Sequence, residues 1–583
     1  MGSLVGHKNS RAEYNWRLTP FANLIGALEA APGDRPFVTA WIDEDEQETV
    51  TFAEFRRRAR AHAAILTRKG VTAGDRVIIL MPQSIAAMTA FVGAMMLGAA
   101  PAFLAYPNFK IEAAKYRSGL EGVTSNLEAK VVVLDEGFPE EMLEYILLQG
   151  EAAVFRLDEL TDSSAQAREL AAVAGNSLAF LQHSAGTTGL QKGVALTHAA
   201  VLRQIQHLAG ALHLDGSKDK IYSWLPLYHD MGLIACFMLP MVCHVPVVMQ
   251  SPLDWVMHPE TMLQIISENR CTLAWLPNFA FQFLARRTPA ERRGRYDFSS
   301  LRGLINCSEP VRAASAAEFQ RAFSVPGSVL QSSYAMAENV FAVTQSVLDG
   351  GSAPACVWAD AQQFRNCHRV VPVAADATNA MQFISSGRLL PNHQVRIVSE
   401  QGATLEQGWV GEILIQSDCL FQGYYNRPDL TAAAIVDGWY RTGDLGFVLS
   451  DELYVVGRKK DLLIVGGENI YPQDIEELAG THPAVHDGRV VAMGVYDPQL
   501  GTEEIVVVAE LESEELLGSG ERIESEIRSC VVSGMGVAVR KILLKPPKWI
   551  VKSTAGKPAR SATRDKLLRE HPELNREREG EDT

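Results

Sequence analysis

The sequence predicts an α/β protein with largely parallel sheets, and three observations carry that expectation. Apolar β-branched runs alternate with helix-period patterns through most of the first 350 residues. From about Phe383 to Val456 the texture changes to short strands and turns, which predicts a small β-rich subdomain. After Gly457-Arg458-Lys459-Lys460-Asp461 a new α/β pattern begins. A chain of 583 residues also exceeds what one hydrophobic core usually organises, so two or more domains are expected.

In chain order, Val77-Ile78-Ile79-Leu80 and Val131-Val132-Val133-Leu134 read as buried strands. Between them, Ser84–Phe109 carries no charge, but Gly93, Gly98 and Pro101 mark a buried helix running into a strand rather than a membrane span. Leu178-Ala179-Phe180-Leu181 is a strand leading into a glycine-rich turn; Val194–His198 follows, then a helical pattern from about Ala199. Leu233–Met249 is nearly all apolar, yet it is short for a span and broken by Pro240, His244 and Pro246. Further strands are expected at Leu273–Leu276, Gln394–Val398, Gly411–Ile415, near Val490–Val495 and at Ile505–Leu511. The charged tail from about residue 564 is expected to fray.

Apolar content of 47% and charged content of 21% describe an ordinary globular protein. A formal charge of −15 argues against nucleic acid or an anionic membrane as the main partner. Eight cysteines lie scattered without CxxC or zinc-type spacing, so buried free thiols in a reducing cytosol are expected. The N-terminus has no apolar signal-peptide core, Gly6 spoils a myristoylation start, and the last residues carry no peroxisomal or ER address. A cytoplasmic location is the expectation.

The most informative stretch is Ser184-Ala185-Gly186-Thr187-Thr188-Gly189-Leu190-Gln191-Lys192-Gly193. Such a turn offers backbone N–H groups and hydroxyls to an oxyanion, and the lysine adds a point charge. It reads as a polyphosphate cradle. It is not a Walker A loop, which needs glycine before the lysine and Ser or Thr after it. Other stretches share a reason to coexist only if they build one site. They are Trp224–Asp230, Tyr334-Ala335-Met336-Ala337-Glu338, Trp439–Asp444, Gly457–Asp461 and Lys552–Lys557. Each alone has an ordinary explanation, as a core histidine, a helix cap or a solvated lysine turn.

Together these stretches resemble the adenylate-forming superfamily of acyl-CoA synthetases, peptide-synthetase adenylation domains and luciferase-like ligases, from about Leu18 to Leu568. The resemblance implies a large N-terminal domain, 1–456, of two sheet-and-helix subdomains plus the β-rich subdomain at about 383–456. A hinge at 457–461 and a mobile α+β C-terminal domain, 462–583, would follow. It implies ATP and Mg²⁺ as cofactors. Ser184, Gly186, Thr187, Thr188 and Lys192 would hold phosphates, with Ser308, Glu309, Tyr334, Ala335, Asp444 and Arg458 around the nucleotide. Asp444 would grip the ribose, Arg458 would reach toward phosphate, and Glu338 would help hold Mg²⁺. Lys557, His229, Thr188 and Glu338 would carry the chemistry, Lys557 bridging carboxylate and α-phosphate, and Lys460 would be the pivot. Trp224, His229, Met231, Asn278 and Phe279 would form the acyl pocket, with Trp275 and Phe281 as further apolar candidates. Gly466, Gly467, Glu468 and Asn469 would form the pantetheine face.

Within the superfamily the chain looks most like fatty acyl-AMP ligases, which pass acyl groups to carrier proteins. Leu225–Ile234 and Pro277-Asn278-Phe279-Ala280-Phe281 carry that likeness, together with a long interval from Glu338 to Asp444 whose excess is expected around Gly350–Ala380. The expected reaction is activation of a hydrophobic acid to acyl-AMP and transfer to an acyl carrier protein. CoA as acceptor, a thioester-forming half-reaction alone, and a silent binding protein are the alternatives. Arg286, Arg287, Arg292, Arg293 and Arg295 are candidates for a carrier-facing basic patch. Ala185, Gln191, Ala335 and Cys307 depart from the family's usual residues but remove no charged group.

Overall fold

The computed structural model describes residues 21–43, 46–107, 113–148, 150, 152–157, 173–183, 192–348, 351–465, 468–497, 502–552 and 557–574. Ser184, Gly186, Thr187 and Thr188, expected to hold phosphates, and Gly466 and Gly467, expected on the pantetheine face, lie outside the described residues.

Two α/β layers make up the first part of the chain. One sheet runs through Arg388–Leu389, Ala342–Gln345, Leu330–Ala335, Gly303–Asn306, Leu273–Leu276, Ile221–Ser223, Val247–Met249, Pro36–Trp41 and Gln47–Thr51. Its central strands pair in parallel. The other sheet is wholly parallel, in the order Ala100–Phe103, Arg76–Leu80, Val131–Leu134, Ala153–Arg156. The uncharged stretch becomes the helix Ile85–Met96, capped by the Ser84 hydroxyl and buried on nearly every side. Gly93 lets it approach the helix Phe52–Arg68. A Cβ there would stand 2.7 Å from the Ala59 carbonyl oxygen.

Leu178–His183 and Gly193–Thr197 pair antiparallel, from Leu178 opposite Thr197 to His183 opposite Gly193. The β-rich part is an antiparallel sheet of His393–Val398, Gly411–Ser417, Trp439–Leu449, Ile435–Val436 and Glu452–Arg458. Its last strand continues to Arg458, past the boundary expected at 456, and the turn Lys459–Asp461 follows directly. The segment after Gly350 forms the strand Cys356–Asp360, the helix Ala361–Cys367 and the returning strand Ala380–Ile384.

The C-terminal part packs the helices Pro472–Gly480 and Gly520–Met535 on a sheet of Val485–Asp497, Thr502–Leu511 and Val539–Lys545. The expected fraying from about residue 564 is corrected by the helix Arg560–Glu570 and the turn Pro572–Leu574. Leu567 and Leu574 bury against Val491, Met493 and Val495, and this packing outweighs the segment's high charge. The expectation of buried thiols holds for Cys236, Cys243, Cys271, Cys307 and Cys419, but Cys356 and Cys367 are exposed. Among the described residues no helix is long and apolar enough to cross a membrane.

Candidate active site

A cavity of about 2530 Å³ is lined by residues from the first sheets, the β-rich sheet and the C-terminal part. Neighbouring strands supply several of its polar groups. Asp444 and Arg458 stand opposite each other in register on adjacent antiparallel strands, and Arg458 Nε lies 3.2 Å from Asp444 Oδ1. Tyr334, at the end of the parallel strand Leu330–Ala335, donates its hydroxyl to Asp444 Oδ2 at 2.7 Å. Both carboxylate oxygens are therefore oriented. Burial and the neighbouring Asp444 charge push the Tyr334 phenol well above its ordinary pKa, which keeps it a donor. The Asp444 charge, outweighing burial, raises Arg458 above its ordinary value. In this arrangement Arg458 serves Asp444, a contact that the reading of it as a phosphate ligand did not anticipate.

Beyond Tyr334 the chain makes the tight turn Ala337–Asn339, with Val340 at φ 62°. A buried β-branched residue with positive φ is strained, and such strain is kept where the surroundings over-determine it. The turn presents Glu338, whose Oε1 accepts from the Tyr424 hydroxyl at 2.8 Å. Lys192 Nζ sits 4.6 Å from the centre of the Tyr424 ring. Tyr424 thus joins Lys192, expected to hold phosphate, to the carboxylate read as a metal ligand. Among the described residues the second oxygen of Glu338 accepts no hydrogen bond, and Glu338 lines the cavity. That fits Mg²⁺, which is held through one or two carboxylates plus substrate phosphates.

His229 and Asp230 follow the strand Ile221–Ser223 and precede the π-helix Met231–Met238. Gly232 permits the sharp entry, since a Cβ there would stand 2.3 Å from the Pro226 carbonyl oxygen. His229 Nδ1 lies 2.6 Å from Asp230 Oδ1. Burial pushes the Asp230 carboxyl up, but His229, the Met231 N–H and Lys557 together outweigh it and hold it below its ordinary value.

Lys557 comes from the C-terminal part. Its segment is fixed at the base by a bridge between Lys552 and Pro558 and by Ala559 N–H donating to the Val551 carbonyl at 2.8 Å. Lys557 Nζ donates to the Ser308 carbonyl oxygen. Ser308 has φ 72°, the left-handed region, which aims that carbonyl. Glu309 instead accepts from Phe279 N–H at 3.1 Å, in the first turn of the helix Asn278–Arg287. Lys460 lines the cavity at the turn, and burial and Arg458 hold it below its ordinary pKa.

The apolar wall centres on Trp224, stacked on Trp255 with ring centroids 3.7 Å apart and 1° between planes. Phe279 and Phe283 pack against Trp255. Trp224, His229, Met231, Asn278, Phe279 and Ala335 all line the cavity. Asn278 is committed to structure: Oδ1 accepts from Asn306 and the Arg312 N–H, and Nδ2 donates to Ser315. Trp275 and Phe281, expected as further pocket residues, are core side chains that do not line the cavity.

Residues 27–425 match the AMP-binding enzyme family. The chain belongs to that family. It is 31% identical over 547 residues, 88% of this chain and 85% of the relative, to a 4-hydroxyphenylalkanoate adenylyltransferase of Mycobacterium marinum. It is 30% identical over 546 residues, 88% of this chain and 91% of the relative, to the long-chain-fatty-acid–AMP ligase FadD26 of the same organism. Among solved structures it is similar to one from a study of fatty acyl-adenylate ligases from E. coli and L. pneumophila, with TM-score 0.86, 27% identity and coverage of 95% and 98% of the two chains. A fatty acyl-adenylate ligase from L. pneumophila in complex with acyl adenylate and pyrophosphate matches with TM-score 0.71 and 26% identity, over 97% and 98% of the chains.

As an AMP-binding enzyme, the protein gathers Lys192, Ser308, Tyr334, Glu338, Asp444, Arg458, Lys460 and Lys557 around one cavity. Glu468 and Asn469 do not line it; Glu468 is exposed, and Asn469 bonds His368. The expected basic patch is largely spent within the protein. Arg286 pairs with Glu318 and Asp487, Arg292 with Glu260, and Arg293 donates to the carbonyls of Ala285 and Thr288. Sequence reasoning missed Tyr424 and Arg312, which also line the cavity. Gly423-Tyr424-Tyr425 was the available signal, an aromatic pair beside a strand-end glycine.

Proposed function

We propose that the protein joins a hydrophobic, fatty-type carboxylic acid to ATP as an acyl-AMP and then passes the acyl group to the pantetheine thiol of an acyl carrier protein. The observation that carries this reading is Lys557 Nζ on the Ser308 carbonyl, in the same cavity as Asp444, Arg458, Glu338 and Lys192. A carboxylate and an α-phosphate repel each other as they approach. A lysine delivered between them offsets that charge in the transition state. Asp444, fixed by Tyr334 and Arg458, is suited to accept ribose hydroxyls. Mg²⁺ held at Glu338 would neutralise the leaving pyrophosphate. The wall of Trp224, Trp255, Phe279 and Phe283 suits an apolar acyl chain, in keeping with the relatives' names.

The carrier protein is favoured as acceptor because the segment after Gly350 grips the C-terminal part. Arg365 donates to the Met535 carbonyl at 2.9 Å, His368 bonds Asn469, and Phe364 packs on Tyr471 with ring centroids 5.4 Å apart. Free CoA has little surface with which to offset the loss of these contacts, whereas a carrier protein brings its own. The test gives the enzyme ATP, an acid panel, and either CoA or a holo carrier protein. Carrier loading well above CoA thioester formation supports the reading. Efficient use of CoA would make the protein an acyl-CoA ligase, and thioester formation only from supplied acyl-AMP would leave it the second half-reaction.

A further inference from the structure

Arg560 begins the C-terminal helix just beyond Lys557. Its guanidinium forks onto Glu476, Nε to Oε1 at 2.8 Å and Nη2 to Oε2 at 2.5 Å, while Nη1 donates to Asp461 Oδ2 at 2.9 Å. The three side chains are 27%, 17% and 20% exposed, so water screens them only in part. Asp461 closes the turn that follows Arg458, and Glu476 lies on the helix Pro472–Gly480, where it also accepts the Ala492 N–H at 3.0 Å. On the same helix Asp474 and Glu477 hold Arg312 of the N-terminal part at 3.0 and 3.1 Å. A chain of charge-assisted contacts therefore runs from the N-terminal part through this helix to the segment that carries Lys557.

We propose that Arg560 is a positioning residue for Lys557, locking its segment to the Lys459–Asp461 turn and the Pro472–Gly480 helix so that Nζ arrives at Ser308. The inference rests on the adenylation reading above. The arginine's charge is spent on two carboxylates, so it acts through Lys557. A lysine at this position could not fork onto Glu476 while holding Asp461, because an ammonium lacks the planar paired donors. Displacing a catalytic group by about 1 Å costs on the order of a hundredfold in rate.

The test measures acid-dependent ATP–pyrophosphate exchange for the parent, K557A, R560Q, R560K, D461N and the double variant K557A/R560Q, with denaturation midpoints as a check on folding. R560Q is expected to slow exchange by roughly 30- to 100-fold, mainly in kcat, while consumption of supplied acyl-AMP stays near the parent rate. R560K should recover only part of the loss, and D461N, which keeps the Glu476 fork, should give a smaller slowing of the same step. The double variant should be no slower than K557A, since Arg560 has nothing left to position. Parent-like exchange by R560K and D461N, or a double variant slowed by the product of the two single effects, overturns the inference. If K557A itself exchanges at the parent rate, the adenylation reading fails and takes this inference with it.

Discussion

Lys557 Nζ donates to the carbonyl oxygen of Ser308 across 249 positions of sequence, joining the C-terminal part to a left-handed residue beside the π-helix Met231–Met238. The left-handed backbone of Ser308 turns its carbonyl toward the lysine.

Lys557→Ala is expected to slow acyl-AMP formation a hundredfold or more while leaving thioester formation from supplied acyl-AMP nearly intact. Removing one charge-assisted contact from such a site costs about 3–4 kcal/mol, a hundredfold or more. Pyrophosphate release and single-turnover acyl transfer measure the two steps separately. Equal loss in both would place Lys557 elsewhere in the cycle.

Glu338→Gln keeps the side chain's volume and its bond from Tyr424 but removes the charge. We expect a folded protein whose activity needs more Mg²⁺, with part of the loss recovered at high Mg²⁺. An unchanged Mg²⁺ titration would assign Glu338 to the turn's structure alone.

Arg312→Ala removes the partner that Asp474 and Glu477 share. Burial works against the arginine's charge, but the two acids outweigh it and hold Arg312 above its ordinary pKa. Losing these bonds should cost about 1.5–3 kcal/mol of the contact between the two parts. Faster protease cleavage near Lys459–Asp461, with an unchanged unfolding midpoint, is the expected result. Unchanged cleavage would show that other contacts set the orientation.

Burial depresses His62, His183 and His198 to a pKa of about 4. Unfolding returns each to about 6.5. The stabilisation is complete above pH ~6.5 and is lost as pH falls toward ~4, because there the unfolded chain binds more protons. Each buried histidine contributes a slope approaching about 1.4 kcal/mol per pH unit in that window. His183→Gln should reduce the slope by about one proton in denaturation curves taken at several pH values. An identical slope would mean His183 is protonated in the fold.

Much of the framework was legible because parallel strands buried on both faces read as unbroken apolar runs, as at Val77–Leu80 and Leu273–Leu276. Asp444 and Lys557 were legible from the company they keep in sequence. Their partners were not, since Tyr334 meets Asp444 across 110 positions and no local pattern encodes that distance. The helix Arg560–Glu570 was missed because Leu567 and Leu568 make too short a stripe to signal it; packing on the Val485–Asp497 strand decides it. The basic run at Arg286–Arg295 looked available because sequence does not show that Glu318, Asp487 and Glu260 lie across from it.

The central claim, that this cavity joins ATP to a hydrophobic acid, is tested most directly by ATP–pyrophosphate exchange across a series of carboxylic acids. The account predicts exchange that requires an apolar acid, grows with chain length or ring size until the Trp224–Trp255 wall is filled, and falls a hundredfold or more in Lys557→Ala. A folded protein that binds ATP yet shows no acid-dependent exchange with any member of the series would contradict it.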